Sequence, residues 1–308
     1  MKAKISTEWL SGCSGCHVAI VDLHEKLLNL ADEVEFVRAP VLMDEKGYPE
    51  ADIGIVEGAI RSVHDREAVE RMRDSVRTLV AFGTCAVYGG PSGIGWLHDS
   101  ESVFAQVYDG GPTNAGHERP DAGAPRLEAS VVPVDEVVKV DFMLPGCPPS
   151  PYFIAAALRL LLDGSGPKLS KRTVCSGCTR KMGRRPGTAL RKGAVTAADD
   201  QLCLLSQGVV CMGSVTLDRC FSPCPQKGVA CTGCNGPSLN IIREPQVDYR
   251  GVLAGTMSFL TGINEADVKA YIEAEAKTFY SYSLASPAIF KKPTVELREW
   301  AGDGHRHD

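Results

Sequence analysis

Residues 9–20 read WLSGCSGCHVAI, which places two cysteines and two glycines where a β-rich run, residues 3–10, gives way to a helix-like one. A CxxC pair at such a turn can hold a metal, shuttle a disulfide or pack as a small hydrophobe. Its surroundings set the fold. Further β-rich runs follow at 34–42, 52–60, 77–82 and 138–144, and between them lie helical patterns at 17–30 and 65–76, with another at 152–162. Strands alternating with helices predict a parallel sheet covered on both faces, an α/β doubly wound domain of flavodoxin-like type.

The bulk numbers narrow the function classes. With 308 residues, 44% of them apolar and 23% charged, the chain has ordinary globular composition and length for two domains. A formal charge of -5 and a pI near 5.9 provide no basic field for nucleic acid. No apolar run approaches the roughly 18 residues needed to span a bilayer, so direct membrane insertion is not expected. The opening MKAKISTEWLSGC has no apolar signal core, and a cytoplasmic protein is expected. In that reducing compartment the 12 cysteines are predicted to be metal ligands rather than a disulfide framework.

Cys13, Cys16, Cys85 and Cys147 each follow a predicted strand. Ligands of open α/β sheets bind beyond the carboxyl ends of the strands, so these four are expected to converge. Gly12, Gly15, Gly83 and Gly146 would let backbone approach a bulky cofactor, and Pro148 and Pro149 would stiffen the last turn. The stretch 89–135 breaks the rhythm with many Gly, Pro and Asp, as functional surface loops do. "DGSGPK" at 163–168 reads as a linker, dividing the chain into 1–165 and 166–308. Beyond it, residues 171–237 carry Cys175, Cys178, Cys203, Cys211, Cys220, Cys224, Cys231 and Cys234 with little periodicity. Such a segment is expected to owe much of its folding energy to bound metal. Chain order suggests one site from the first four and another from the last four, although ligands can cross between neighbouring clusters. Closed Cys₄ zinc sites remain an alternative, and a thioredoxin-like pair would leave the other cysteines unexplained.

Together, "LSGCSGC", "GTCA" and "PGCPPSP" resemble the proximal-cluster motif of the small subunit of nickel-iron hydrogenases. The eight later cysteines resemble that family's medial and distal ligands, and the likeness spans roughly residues 5–240. It is greatest to cytoplasmic, methyl-viologen-reducing, heterodisulfide-reductase-associated members. The resemblance implies an iron-sulfur domain after the flavodoxin-like one and an electron wire of three 4Fe-4S clusters. Cys13, Cys16, Cys85 and Cys147 would hold the proximal cluster, Cys220, Cys224, Cys231 and Cys234 the medial one, and Cys175, Cys178, Cys203 and Cys211 the distal one. It further implies a large subunit that carries the nickel-iron centre, and an electron-acceptor protein, an iron-sulfur or flavin protein associated with heterodisulfide reductase. Cys175 stands where periplasmic members have histidine, and Cys224 where many have proline. Gly15 stands where oxygen-tolerant members add a cysteine, so unusual oxygen tolerance is not expected. A respiratory-complex-like subunit is a further alternative, but those relatives generally keep only the proximal cluster.

Other residues admit plainer roles. His17 is expected at a helix start or on the surface rather than as a ligand. Glu8 and Glu57, near strand ends, could pass protons or face a partner. Arg180, Lys181, Arg184 and Arg185 could steer an acidic redox partner or form an ordinary solvated face. His305 and His307 fall in a polar tail expected to be solvated, and Gly89, Gly90, Gly93 and Gly95 lack the GK[ST] of a phosphate loop. The segment 265–280 regains a helical pattern.

Overall fold

The computed structural model describes residues 2–290 except 99, 112–114, 117, 121, 165–169 and 194. The tail histidines His305 and His307 and most of the expected linker lie outside the described residues. Among the described residues seven strands form: β1 Ala3–Trp9, β2 Val34–Arg38, β3 Ala51–Glu57, β4 Ile60–Ser62, β5 Val76–Phe82, β6 Leu127–Val132 and β7 Phe142–Leu144. Five of them make one parallel sheet in the order β2-β1-β3-β5-β7. Counted within that sheet the order is 2-1-3-4-5, the flavodoxin-like winding, with its topological switch point between β1 and β3. β4 and β6 pair antiparallel in a separate ribbon.

Alternation along the central strands sends side chains to two cores. Ile53, Ile55, Val80 and Phe82 pack beneath α1 Gly15–Val21, α2 Glu25–Ala31 and α6 Pro151–Leu162. Val56, Leu79 and Ala81 face the opposite way, onto α3 Val63–Ser75 and α4 Thr84–Tyr88. A parallel sheet buried on both faces follows from this two-sided apolar pattern.

Several boundaries depart from expectation for local reasons. The run 52–60 is two strands, because the chain turns at Gly58 and the remainder joins β6. The run 138–144 pairs only from Phe142, since the Asp141 carboxylate takes the Leu79 amide at 2.8 Å and ends the ladder there. The helix expected over 17–30 breaks at His24, which has a φ of 49°. The stretch 89–135 contains a 3₁₀ turn at Pro91–Leu97, the short α5 Ser100–Phe104, a π turn at Ala105–Asp109 and β6.

The cysteine-rich segment also contributes to an apolar core. Leu204, Leu205, Val209, Val210, Met212 and Val215 are buried with Leu253, Ala254, Met257 and Leu260 of the helix Tyr249–Thr261. Short 3₁₀ turns, at Leu205–Gln207 and Met212–Ser214, present those apolar side chains without helical or strand spacing. The helix Glu265–Ala274 and the turn Ala276–Phe279 realise the 265–280 pattern.

Candidate electron-transfer site

The first four thiols gather at the carboxyl edge of the sheet. Cys13 and Cys16 lie on the turn from β1 into α1, where Ser14 takes a left-handed φ of 57°. Cys85 sits in the first turn of α4, directly after β5, and Cys147 follows β7. Backbone bonds from Gly83 to Leu144 (2.8 Å) and from Thr84 to Gly146 (2.9 Å) zip the last two loops together. Burial pushes the Cys16 thiol far up, with Glu57, Cys85, Cys147 and Cys13 adding to the effect in that order. Burial, then Cys147, Cys13 and Glu57, raise Cys85 to about 12. Two glycines make room for the sulfurs: a Cβ on Gly83 would overlap Cys16 Sγ, and one on Gly90 would overlap Cys85 Sγ. Both have positive φ, which an L side chain rarely adopts.

Beneath this set lies a buried polar pair that the motif alone did not disclose. His17 follows Cys16, and its ring Nδ1 meets Glu57 Oε2 at 2.7 Å while Nε2 meets Thr7 Oγ1 at 2.9 Å. The histidine does start the helix, but it is buried rather than on the surface. With both ring nitrogens engaged it has none left for a metal. Glu8 is likewise internal, bound to Arg38 at 2.8 Å and accepting from the Tyr48 hydroxyl.

Cys175, Cys178, Cys203 and Cys211 line one cavity together with Leu204, Leu205, Gly213 and Pro225. Burial, then Cys211, Cys203 and Cys178, bring Cys175 to about 12. Burial also raises Cys203 and takes Cys211 to about 11, while backbone amides resist the shift. Those amides are Leu205 and Ser206 at Cys203, and Cys231 and Gly213 at Cys211.

The remaining four form the third set. Burial and then Cys220, Cys147 and Cys224 carry Cys234 to about 12. Burial and then Cys211 push Cys231 well up, with Cys234 adding to it. Phe221 and Ser222, both left-handed at φ 61° and 55°, turn the chain between Cys220 and Cys224, and Ser222 Oγ anchors the turn on the Val174 carbonyl at 2.6 Å.

The sets adjoin one another. Thr84 Oγ1 donates to the Cys234 carbonyl at 2.6 Å and accepts from the Gly146 amide at 2.9 Å. The Cys231 amide lies 3.3 Å from Cys211 Sγ. Sequence reasoning missed Thr84, although it directly precedes Cys85 in the quoted GTCA.

The donor chemistry fits a sulfur-rich cofactor. Most of these thiols are desolvated, and as thiolates they would repel one another, an arrangement a polycationic metal core would reverse. Asn235 Nδ2 is buried without a hydrogen-bond partner and stands beside the Cys220 sulfur. Among the described residues no three His, Cys, Asp or Glu side chains close up as single-ion ligands do.

Arg180 does not belong to a steering face. Its side chain is only 3% exposed and donates to the carbonyls of Pro225, Asp199 and Leu202, tying the second and third loops together. Among the described residues no helix is long and apolar enough to cross a membrane.

The chain is similar to several known proteins. The family model described as NADH ubiquinone oxidoreductase, 20 Kd subunit, matches residues 13–161. A subunit of the F420-non-reducing hydrogenase of Methanothermobacter thermautotrophicus is 39% identical over 305 residues, covering 94% of this chain and 96% of that protein. A subunit of the F420-non-reducing hydrogenase vhu of Methanocaldococcus jannaschii is 39% identical over 237 residues, 77% of this chain and 82% of its own. A chain in the crystal structure of an NAD+-reducing NiFe-hydrogenase in the H2-reduced state superimposes with a TM-score of 0.53 at 37% identity. That match covers 55% of this chain and 96% of the other.

Proposed function

Because the chain belongs to the family of nickel-iron hydrogenase small subunits, of the type found in F420-non-reducing enzymes, we propose that it conducts electrons through three 4Fe-4S clusters. The electrons run between the nickel-iron site of a large subunit and a redox protein, so this chain binds no nickel and the hydrogen chemistry belongs to the partner. Cys13, Cys16, Cys85 and Cys147 hold the proximal cluster, Cys220, Cys224, Cys231 and Cys234 the medial one, and Cys175, Cys178, Cys203 and Cys211 the distal one. Bound clusters of this kind supply one-electron storage at potentials set by hydrogen bonds, charge and solvent exposure.

One observation carries this reading: each thiol set adjoins another, the first meeting the third where Thr84 Oγ1 donates to the Cys234 carbonyl at 2.6 Å, and the third meeting the second where the Cys231 amide lies 3.3 Å from Cys211 Sγ. The family model stops at residue 161 and so covers only the first set. The eight later cysteines are what support a complete wire over a respiratory-complex-like subunit.

The chain's own residues perform three tasks. Amides and side chains aimed at sulfur, including Leu205, Ser206, Gly233 and Ser222, favour the charged thiolate and stabilise added negative charge. Buried apolar side chains such as Leu204 and Leu205 keep water from the distal set. Exposed Trp9, Val18, Val21, Val41 and Leu42, flanking the turn that carries exposed Cys13, supply an apolar face for the large subunit. We place the enzyme in the cytoplasm, with the chain divided into a flavodoxin-like part, 1–165, and an iron-sulfur part, 166–308.

Anaerobic purification with the large subunit tests the assignment. About twelve iron atoms per small subunit with matching acid-labile sulfide, and electron paramagnetic resonance from three reduced clusters, are expected. Zinc in place of iron, or a single cluster, refutes it.

A further inference from the structure

In a chain of net charge -5, residues 171–198 carry Lys171, Arg172, Arg180, Lys181, Arg184, Arg185, Arg191 and Lys192 and not one acid. The structure sorts these cations. Arg180 is buried and committed to three carbonyls, and Arg191 is half-buried with Nη2 on the Thr196 carbonyl. Lys181, Arg184 and Arg185 are exposed on one loop, and that loop is pinned to the rim of the distal thiol cavity. The Cys203 amide bonds the Lys181 carbonyl at 2.8 Å, and the Lys181 amide bonds the Gln201 carbonyl at 2.8 Å. Gly183 donates to Ser206 Oγ at 3.2 Å, while Arg185 and Gly187 dock on the Leu260 and Thr261 carbonyls at 2.7 and 3.0 Å.

Two exposed apolar side chains accompany these charges: Met182 lies between Lys181 and Arg184 in the chain, and Phe259, 65% exposed, has the Arg184 guanidinium 5.0 Å from its ring centroid. Asp199 and Asp200 border the loop on its far side, where Asp199 is occupied capping the Gln201 and Leu202 amides. Exposed apolar side chains beside exposed cations on a preformed loop are the anatomy of a protein-docking face.

We propose that Lys181, Met182, Arg184, Arg185 and Phe259 form the docking face for an acidic redox protein whose one-electron centre sits under an apolar spot flanked by carboxylates. The proposal rests on the reading of Cys175, Cys178, Cys203 and Cys211 as the terminal cluster site, which the loop borders through Cys203. Each hydrogen molecule split in the large subunit releases two protons there and two electrons into the wire. Two one-electron centres of the partner are reduced in turn. The cations raise the encounter rate, and their influence fades as salt shortens the screening length to about 8 Å at physiological ionic strength.

The test uses the intact large–small subunit complex. Hydrogen-driven reduction of an acidic two-cluster ferredoxin is compared with reduction of a charge-neutral sulfonatopropyl viologen across a salt series. In the triple variant K181E/R184E/R185E, ferredoxin reduction at low salt is expected to fall by about tenfold or more and its salt dependence to invert. Viologen reduction and the cluster spectra should stay as in the wild type. Met182→Asp, which leaves the cations in place, should raise the KM for ferredoxin and leave the viologen rate alone. Ferredoxin kinetics unchanged in both variants overturn the docking face while the wire stands. Wild-type complex without cluster spectra or viologen reduction overturns the wire and the docking face together. Salt-sensitive binding of anionic phospholipid vesicles that the triple variant loses, with ferredoxin rates unaffected, would make the patch a membrane-surface site and sink the proposal.

Discussion

Single residues decide what each thiol set can hold. Cys224 is exposed on a helix start, Pro223–Gln226, so its loss leaves the rest of the fold in place. Cys224→Pro should convert the medial 4Fe cluster to a 3Fe form of higher potential, read by electron paramagnetic resonance during a redox titration. An unchanged spectrum would remove Cys224 from the ligand set. Thr84 acts differently, since it touches no metal and links two loops with one hydroxyl. Thr84→Val keeps the shape but strands the buried Gly146 amide, which should cost about 1–3 kcal/mol in chemical denaturation. It should also shift the potential of the proximal or medial cluster. The positions of the cysteines were legible in the sequence because a thiol's chemistry is local and its spacing is diagnostic. His17 was not, because its burial depends on Glu57, brought beside it only when β3 pairs with β1.

Elements carry those residues into place by ordinary means. α3 begins with a capping box in which Ser62 Oγ accepts the Asp65 amide and Asp65 accepts the Ser62 amide, with Ser11 Oγ also on Asp65 at 2.8 Å. Ser62→Ala should destabilise the protein by about 1 kcal/mol, measurable as a lowered denaturation midpoint with the cluster spectra intact. The parallel strands were readable because short β-rich runs alternate with helical patterns along the first half of the chain. The ribbon of β4 and β6 was not, since Ile60–Ser62 continues an apolar run without a visible break. The helix Tyr249–Thr261 was also missed. Its glycines and threonines weaken the local helix signal, and its order comes from burying Leu253, Ala254 and Met257 against the cysteine loops.

At the scale of the whole molecule, stability has an acid limb that can be assigned. Asp141 is held below its ordinary range despite the cost of burial, because the Leu79 amide and the Arg73 guanidinium stabilise its charge. A carboxylate with a depressed folded-state pKa contributes stability above its unfolded pKa, near 4, and loses it as pH falls through the folded value. Asp141→Asn should therefore lower stability at neutral pH and flatten its decline below about pH 4, followed by thermal melts across that window. The contact between the first and third thiol sets has a further consequence, for how such a chain can be shortened. Cutting this protein near its expected linker would bare the Thr84 hydroxyl along a seam that Cys234 now covers. The amino-terminal half is thus unfinished on one side, and any shorter wire built on it has to borrow a neighbouring subunit as its missing wall.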